Sequence, residues 1–151
     1  MNIYALTIGI AIIAYVIIRF KKTRLERTKW AYPFFLATFP VYYFVFAIYS
    51  KNIQAFGYEV AVGLIFFIIS FIAYKSKNRT SALLIGIGCI LHGVYDAYHD
   101  LLFINPGTPS WWLEFCGSID IILGLYLIYY ALNVPNNALK QGHEKALRPL
   151  A

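Results

Sequence analysis

Charge is what this sequence has least of. Asp, Glu, Lys and Arg together supply 13% of its 151 residues, against 60% hydrophobic ones, and the mean hydropathy is +0.63. A soluble domain carries about 25% charged residues, so this balance excludes one and leaves a lipid bilayer as the expected solvent. Cysteine is scarce too. If Cys89 and Cys116 both lie in membrane-spanning helices, they differ in depth by roughly 12 Å, beyond one disulfide, and both are expected as free thiols. No apolar run contains a lysine, which excludes a retinal Schiff base. There is no HExxH motif, no low-complexity tract and no repeat of the kind that marks an inverted-repeat transporter. The formal charge of +6 would suggest nucleic acid in a soluble protein. Beside long apolar runs it marks a cytoplasmic face instead, and no nucleic-acid partner is expected.

What is present is a series of apolar runs. A hydrocarbon core of about 30 Å takes about 20 helical residues to cross, and five segments qualify: 3–20, 31–50, 56–74, 80–102 and 111–132. The expected fold is therefore an all-α integral membrane protein, a bundle of five transmembrane helices with no soluble domain. The first run has no basic stretch before it and ends in Lys21, Lys22, Arg24, Arg27 and Lys29, the pattern of a retained anchor. Pro33 falls in the first turn of the second span, where its missing N–H matters least. Pro40 falls in the middle, frees the carbonyl of Leu36 and predicts a kink. Residues 51–55 and 103–110 (FINPGTPS) read as turns, and residues 133–151 as a basic cytoplasmic tail. With the N-terminus outside and the C-terminus inside, twelve of the thirteen Lys and Arg lie on the cytoplasmic side and Lys51 alone lies outside, which predicts an N-out/C-in, multi-pass protein of the cell membrane.

Five of the seven acidic residues, Glu59, Asp96, Asp100, Glu114 and Asp120, fall within spans or at their edges, together with His92 and His99. An Asp at a helix centre costs roughly 2.5–3.5 kcal/mol on insertion scales, so such groups call for partners, water or a ligand. A rise of about 1.5 Å per residue puts His99 and Glu114 about 5 Å below the outer end, Asp96 about 9 Å, and His92 and Asp120 about 14 Å. All of them, with Glu59, belong to the outer half. At about 100° per residue, Asp96 lies about 40° from His92 and His99 about 20° on the other side, so one stripe holds all three, with Asp100 at its edge. Gly117, Asp120 and Gly124 share a face that lets a neighbouring backbone approach. Glu114 points about 120° away from Asp120.

A metal site is the sharpest chemistry this pattern offers. His92, Asp96 and His99 at i, i+4 and i+7, completed by Asp120 from a facing helix, make a candidate ligand set for zinc or iron. Glu59, Tyr95, Asp100, Glu114, Trp111 and Trp112 are the candidate cavity or ligand-binding residues, with Trp111, Trp112 and the 103–110 turn as a cover. A metal at such a place supplies a Lewis acid and an activated water, suited to hydrolysing an ester, amide or phosphoester of a lipid from the outer leaflet. In residue type alone, the cluster resembles the seven-span membrane hydrolases that bind zinc through His and Asp, and no residue role follows from that. Two other classes compete. One is a transporter or binding protein for a proton, a cation or a small polar ligand. The other is a structural protein whose His–Asp pairs hold helices together at about 0.6–2 kcal/mol each. Haem is not expected, since two histidines on one face of one helix cannot take both axial positions, and no nucleotide is expected. Membrane lipids are the expected partners, and a homo-oligomer stays open.

Overall fold

The computed structural model describes residues 1–133, so the tail expected over 133–151 lies, beyond Asn133, outside the described residues. It is all-helical: α1 (Ile3–Lys22), α2 (Ala31–Tyr49), α3 (Ile53–Lys75), α4 (Asn78–Leu102) and α5 (Trp112–Asn133), with a single 3₁₀ turn at Leu25–Arg27 and no strand among the described residues. All five helices are long and apolar enough to cross a membrane. At about 1.5 Å per residue, their 19–25 residues measure about 28–38 Å. Ile8, Ile18, Val45, Ile68 and Leu125 are each more than half exposed, as lipid-facing side chains are.

Local chemistry sets the helix ends. Asn2 and Asn52 accept hydrogen bonds through their side chains from the N–H groups of Ala5 and Ala55, capping α1 and α3 and satisfying one orphan donor in each. Because Asn52 caps it, α3 starts at Ile53, ahead of the Phe56 start expected from hydropathy, and the turn before it shrinks to Ser50–Asn52 with Lys51 in the left-handed region at φ 54°. Pro40 lies inside α2, which runs through it without interruption.

The connections are short and the helices run alternately up and down. Asn2 meets Glu114, and Asn105 meets Tyr43 and Glu59, so the starts of α1, α3 and α5 and the ends of α2 and α4 share one end of the bundle. The opposite end gathers nine of the ten basic residues of the described chain. α4 packs on α5, α3 and α2, while α1 leans mainly on α5 and touches the start of α2 through Phe20, whose ring lies 5.2 Å from that of Tyr32. The α4/α5 contact is close because it is built on glycine. A Cβ added at either Gly86 or Gly124 would lie 2.9 Å from the carbonyl oxygen of the other, nearer than packed carbon and oxygen sit. Leu36, Phe39, Ile85, Cys89, Leu123 and Leu127 fill the middle of the bundle.

Candidate functional site

The close approach of α4 and α5 brings His92 opposite Asp120. His92 Nδ1 lies 2.8 Å from Asp120 Oδ2 and 3.5 Å from Asp96 Oδ1, one turn along its own helix. Cys116, one turn before Asp120, holds its Sγ 3.8 Å from Asp120 Oδ2. These four residues are buried and offer ligand atoms that all lie within 4.8 Å of one another. Zinc bonds of about 2.0–2.3 Å in a tetrahedron separate ligand atoms by roughly 3.3–3.8 Å, so shifts of about 1 Å would close the set on an ion. One nitrogen, two carboxylates and one thiol suit zinc.

Partners already hold part of this group. The Tyr43 hydroxyl donates to Asp96 Oδ1 at 2.7 Å, an outer contact of the sort that orients a metal-binding carboxylate. The His92 ring sits among aromatic rings, 5.2 Å from Phe39 and 4.8 Å from Phe66 between centroids. What is not held is equally informative. Asp96 Oδ2, Asp120 Oδ1 and His92 Nε2 are buried without a hydrogen-bond partner. A buried acceptor left unpaired costs about 1–3 kcal/mol, and two carboxylates side by side in an apolar bundle cost more unless a cation or protons offset their charge. No Lys or Arg contacts the group among the described residues.

His99 belongs to a neighbouring network. Its Nε2 lies 2.9 Å from Glu59 Oε1 and its Nδ1 lies 2.9 Å from Asp100 Oδ1. Glu59, only 1% exposed, also accepts from Asn105 Nδ2 at 2.8 Å and from the Tyr95 hydroxyl at 2.6 Å. Both Glu59 oxygens are therefore already hydrogen-bonded, whereas Asp96 and Asp120 each have one that is not. Tyr43 joins the two networks, since its ring stacks on His99 at 4.7 Å while its hydroxyl serves Asp96.

A cavity of about 120 Å³ opens beside these networks, walled by Tyr43, Asp96, His99 and Asp100 and roofed by Thr108, Pro109 and Ser110. A single water needs about 10–15 Å³ of such space, so several fit. Asp96 is the residue common to this cavity and the His92 group.

The structure thus gathers three of the four metal candidates, His92, Asp96 and Asp120, and adds Cys116, while it places His99 with Glu59, Tyr95 and Asp100. One helical stripe does carry His92, Asp96 and His99, but neighbouring helices meet different parts of it: α5 covers His92 and α3 covers His99. Asp100 is exposed at the rim. Trp112 is buried against Tyr43 and Phe46 and Trp111 sits exposed beside it. Neither lines the cavity, whose cover is the 103–110 turn alone. Glu114 faces the start of α1, accepting from the Asn2 N–H at 2.9 Å. Three residues escaped sequence reasoning. Cys116 had a signal, since at i−4 it shares a face with Asp120. Asn105 had a weak one in its Asn-Pro turn, and Tyr43, one of thirteen tyrosines, had none.

No family model, curated protein or solved structure matches the chain. Deeper in the bundle than His92, Leu36, Ile85, Leu123 and Leu127 are fully buried, and the cavity beside Asp96 opens at the end of the bundle that carries Asp100.

Proposed function

We propose that this chain is a multi-pass protein of the cell membrane, N-out and C-in, that binds a divalent metal ion, zinc by ligand chemistry, through His92, Asp96, Asp120 and Cys116 in its outer half. The observation that carries the reading is the pair of buried carboxylates whose Asp96 Oδ2 and Asp120 Oδ1 have no partner, set around His92 Nδ1 and Cys116 Sγ at near-ligand spacing. A cation offsets the charge and fills the vacant acceptors in one step. Protonation of one carboxyl removes one charge and lets its O–H donate to the other carboxylate, but it leaves the second carboxylate charged and does not draw His92 Nδ1 and Cys116 Sγ into the same centre.

The use that best suits such an ion is metal-dependent hydrolysis of a lipid-like substrate. His92, Asp96 and Asp120 supply three protein ligands, the number that catalytic zinc sites use, and Cys116 either closes the fourth position or leaves it to water. Asp96 stands between the ligand group and the cavity, so a substrate entering from the outer end meets the site there. Hydrolysis adds one water to the acyl carbon or phosphorus, breaks the ester or amide bond, and returns one proton to the departing oxygen or nitrogen. A bound metal would supply the Lewis acid for it. The buried apolar residues deeper than His92 speak against a transport path in a single chain.

Metal analysis of detergent-purified protein is the direct test. About one zinc per chain is expected in the wild type and none in His92→Ala. At free zinc 100 times its Kd, binding adds about 2.7 kcal/mol of stability, or roughly 5–11 °C in melting temperature for a chain of this length. The shift is expected to be larger at pH 7.5 than at pH 5.5, because metal binding requires His92 and the carboxylates to be free of protons. A wild-type protein without metal, whose melting temperature ignores zinc and chelator alike, would leave only a polar network holding the helices.

A further inference from the structure

The lipid-facing side of α5 carries a groove of about 520 Å³ between α1 and α4, lined by Leu6, Val94, Ala97, Leu113, Gly117 and Ile121 among others. It is almost wholly apolar, and its volume falls within the roughly 300–1,000 Å³ of small-molecule sites. Two features separate it from an ordinary gap between helices. First, it lies next to the polar cavity that Asp96, His99 and Asp100 line, the two divided by Ala97 and Leu113, which line both, so an amphiphile that turns the Leu113 side chain aside would reach from one into the other. Second, Gly117 lies on its floor without a packing reason to be glycine: a Cβ there would meet only Leu113 Cδ1, at 3.9 Å. Glycine in a helix interior costs stability against alanine, and here its one structural effect is to keep the groove deep.

The polar cavity decides the head group. Its walls offer the carboxylates of Asp96 and Asp100, the His99 ring, and the hydroxyls of Tyr43, Thr108 and Ser110, with no Lys or Arg among them. Thr108 Oγ1 is buried and unpartnered. Apart from Asp96, which the proposed ion would hold, such walls accept hydrogen bonds from hydroxyl groups and offer a phosphate none of the guanidinium, ammonium or free N–H groups that bind it. We infer that the groove and cavity together bind a phosphate-free, hydroxyl-bearing acyl ester of the surrounding bilayer, with its single tail against Gly117 and its polyol head beside Asp96. This rests on the membrane-hydrolase reading above and narrows its substrate to a carboxylic ester.

A monoacylglycerol carrying a photoreactive diazirine in its acyl chain, added to the purified full-length protein in nanodiscs, tests the inference without requiring metal or turnover. Labelling is expected within residues 93–98 and 113–122. Unlabelled monoolein should compete at least tenfold better than oleoyl lysophosphatidate, which has the same chain and a phosphate. Gly117→Leu should lower labelling at least fivefold while metal content and melting temperature stay at wild-type values. Val94→Trp, which fills the groove from its exposed edge on α4, provides the same readout should Gly117→Leu fail to fold. Labelling spread evenly over all lipid-facing helices, equal competition by the two lipids, or undiminished labelling in a folded groove-filling variant would overturn the inference. Labelling as expected in His92→Ala, with no ester cleavage by the wild type, would support the lipid site and count against the hydrolase.

Discussion

A methyl group placed 6 Å or so along α5 from Asp120 should damage the candidate metal centre without touching any of its ligands. Gly124 packs against Gly86, and a Cβ at Gly124 would stand 2.9 Å from the Gly86 carbonyl oxygen, where ordinary contact begins at 3.4 Å. The Ile90 side chain, also within 2.8 Å, can turn away, but the carbonyl belongs to the α4 backbone and cannot. In Gly124→Ala the two helices must therefore part by about 0.5 Å at this point. Overpacking of this kind costs about 1–3 kcal/mol, while replacing a helical glycine by alanine returns about 0.8–1 kcal/mol. The net loss of stability is thus about 0–2 kcal/mol, and the protein is expected to fold. The site tolerates the same movement less well. Parting α5 from α4 carries Asp120 and Cys116 together away from His92 and Asp96, in a set whose ligand atoms already spread over as much as 4.8 Å against the roughly 3.3–3.8 Å of a zinc tetrahedron, and metal sites demand ligand distances within about 0.2 Å. Zinc affinity, measured by competition with a chromogenic chelator, should fall about 10–100-fold, the range seen when the supports of a metal ligand are lost. Gly117→Ala is the control on the same helix: its methyl meets nothing nearer than 3.9 Å, so zinc affinity should hold and stability should rise by up to about 1 kcal/mol. Equal zinc affinity in Gly124→Ala, Gly117→Ala and the wild type would refute the coupling between the helix crossing and the site.

Cys116→Ser separates a closed ligand set from an open one. Retention of zinc with an affinity within about tenfold of wild type is expected if water can take the fourth position, whereas loss comparable to His92→Ala would mark a closed, structural centre. Asn105→Ala should free the 103–110 turn, because it removes the bond to Glu59 at 2.8 Å and the bond to the Tyr43 carbonyl at 3.2 Å. A loss of about 1–3 kcal/mol and faster proteolysis within that turn are the expected readings, and unchanged proteolysis would mean the turn is held by other contacts. The N-out/C-in orientation predicts that a reporter active only in the cytoplasm works when fused to the C-terminus and fails when fused to the N-terminus.

The five helices and the grouping of basic residues at one end could be read from residue order, because both depend on quantities that are local in sequence: the apolar length needed to cross a hydrocarbon layer and the position of Lys and Arg relative to it. The stripe of His92, Asp96 and His99 was equally legible, since helical periodicity alone fixes which residues of one helix share a face. Periodicity says nothing of what lies opposite. Only the packing of α4 against α5 at Gly86 and Gly124, and against α3 near Glu59, decided that His92 meets Asp120 and Cys116 while His99, two turns away, meets Glu59 and Asn105. It likewise distinguished two glycines of the same helical face, Gly124 pressed against a backbone carbonyl and Gly117 open to a groove. The sequence determined the number of helices long and apolar enough to cross a membrane and the residues that had to find partners. The pairing itself came from helix rotation and crossing, which arise from contacts between residues 20 to 60 positions apart and leave no periodic trace in the chain.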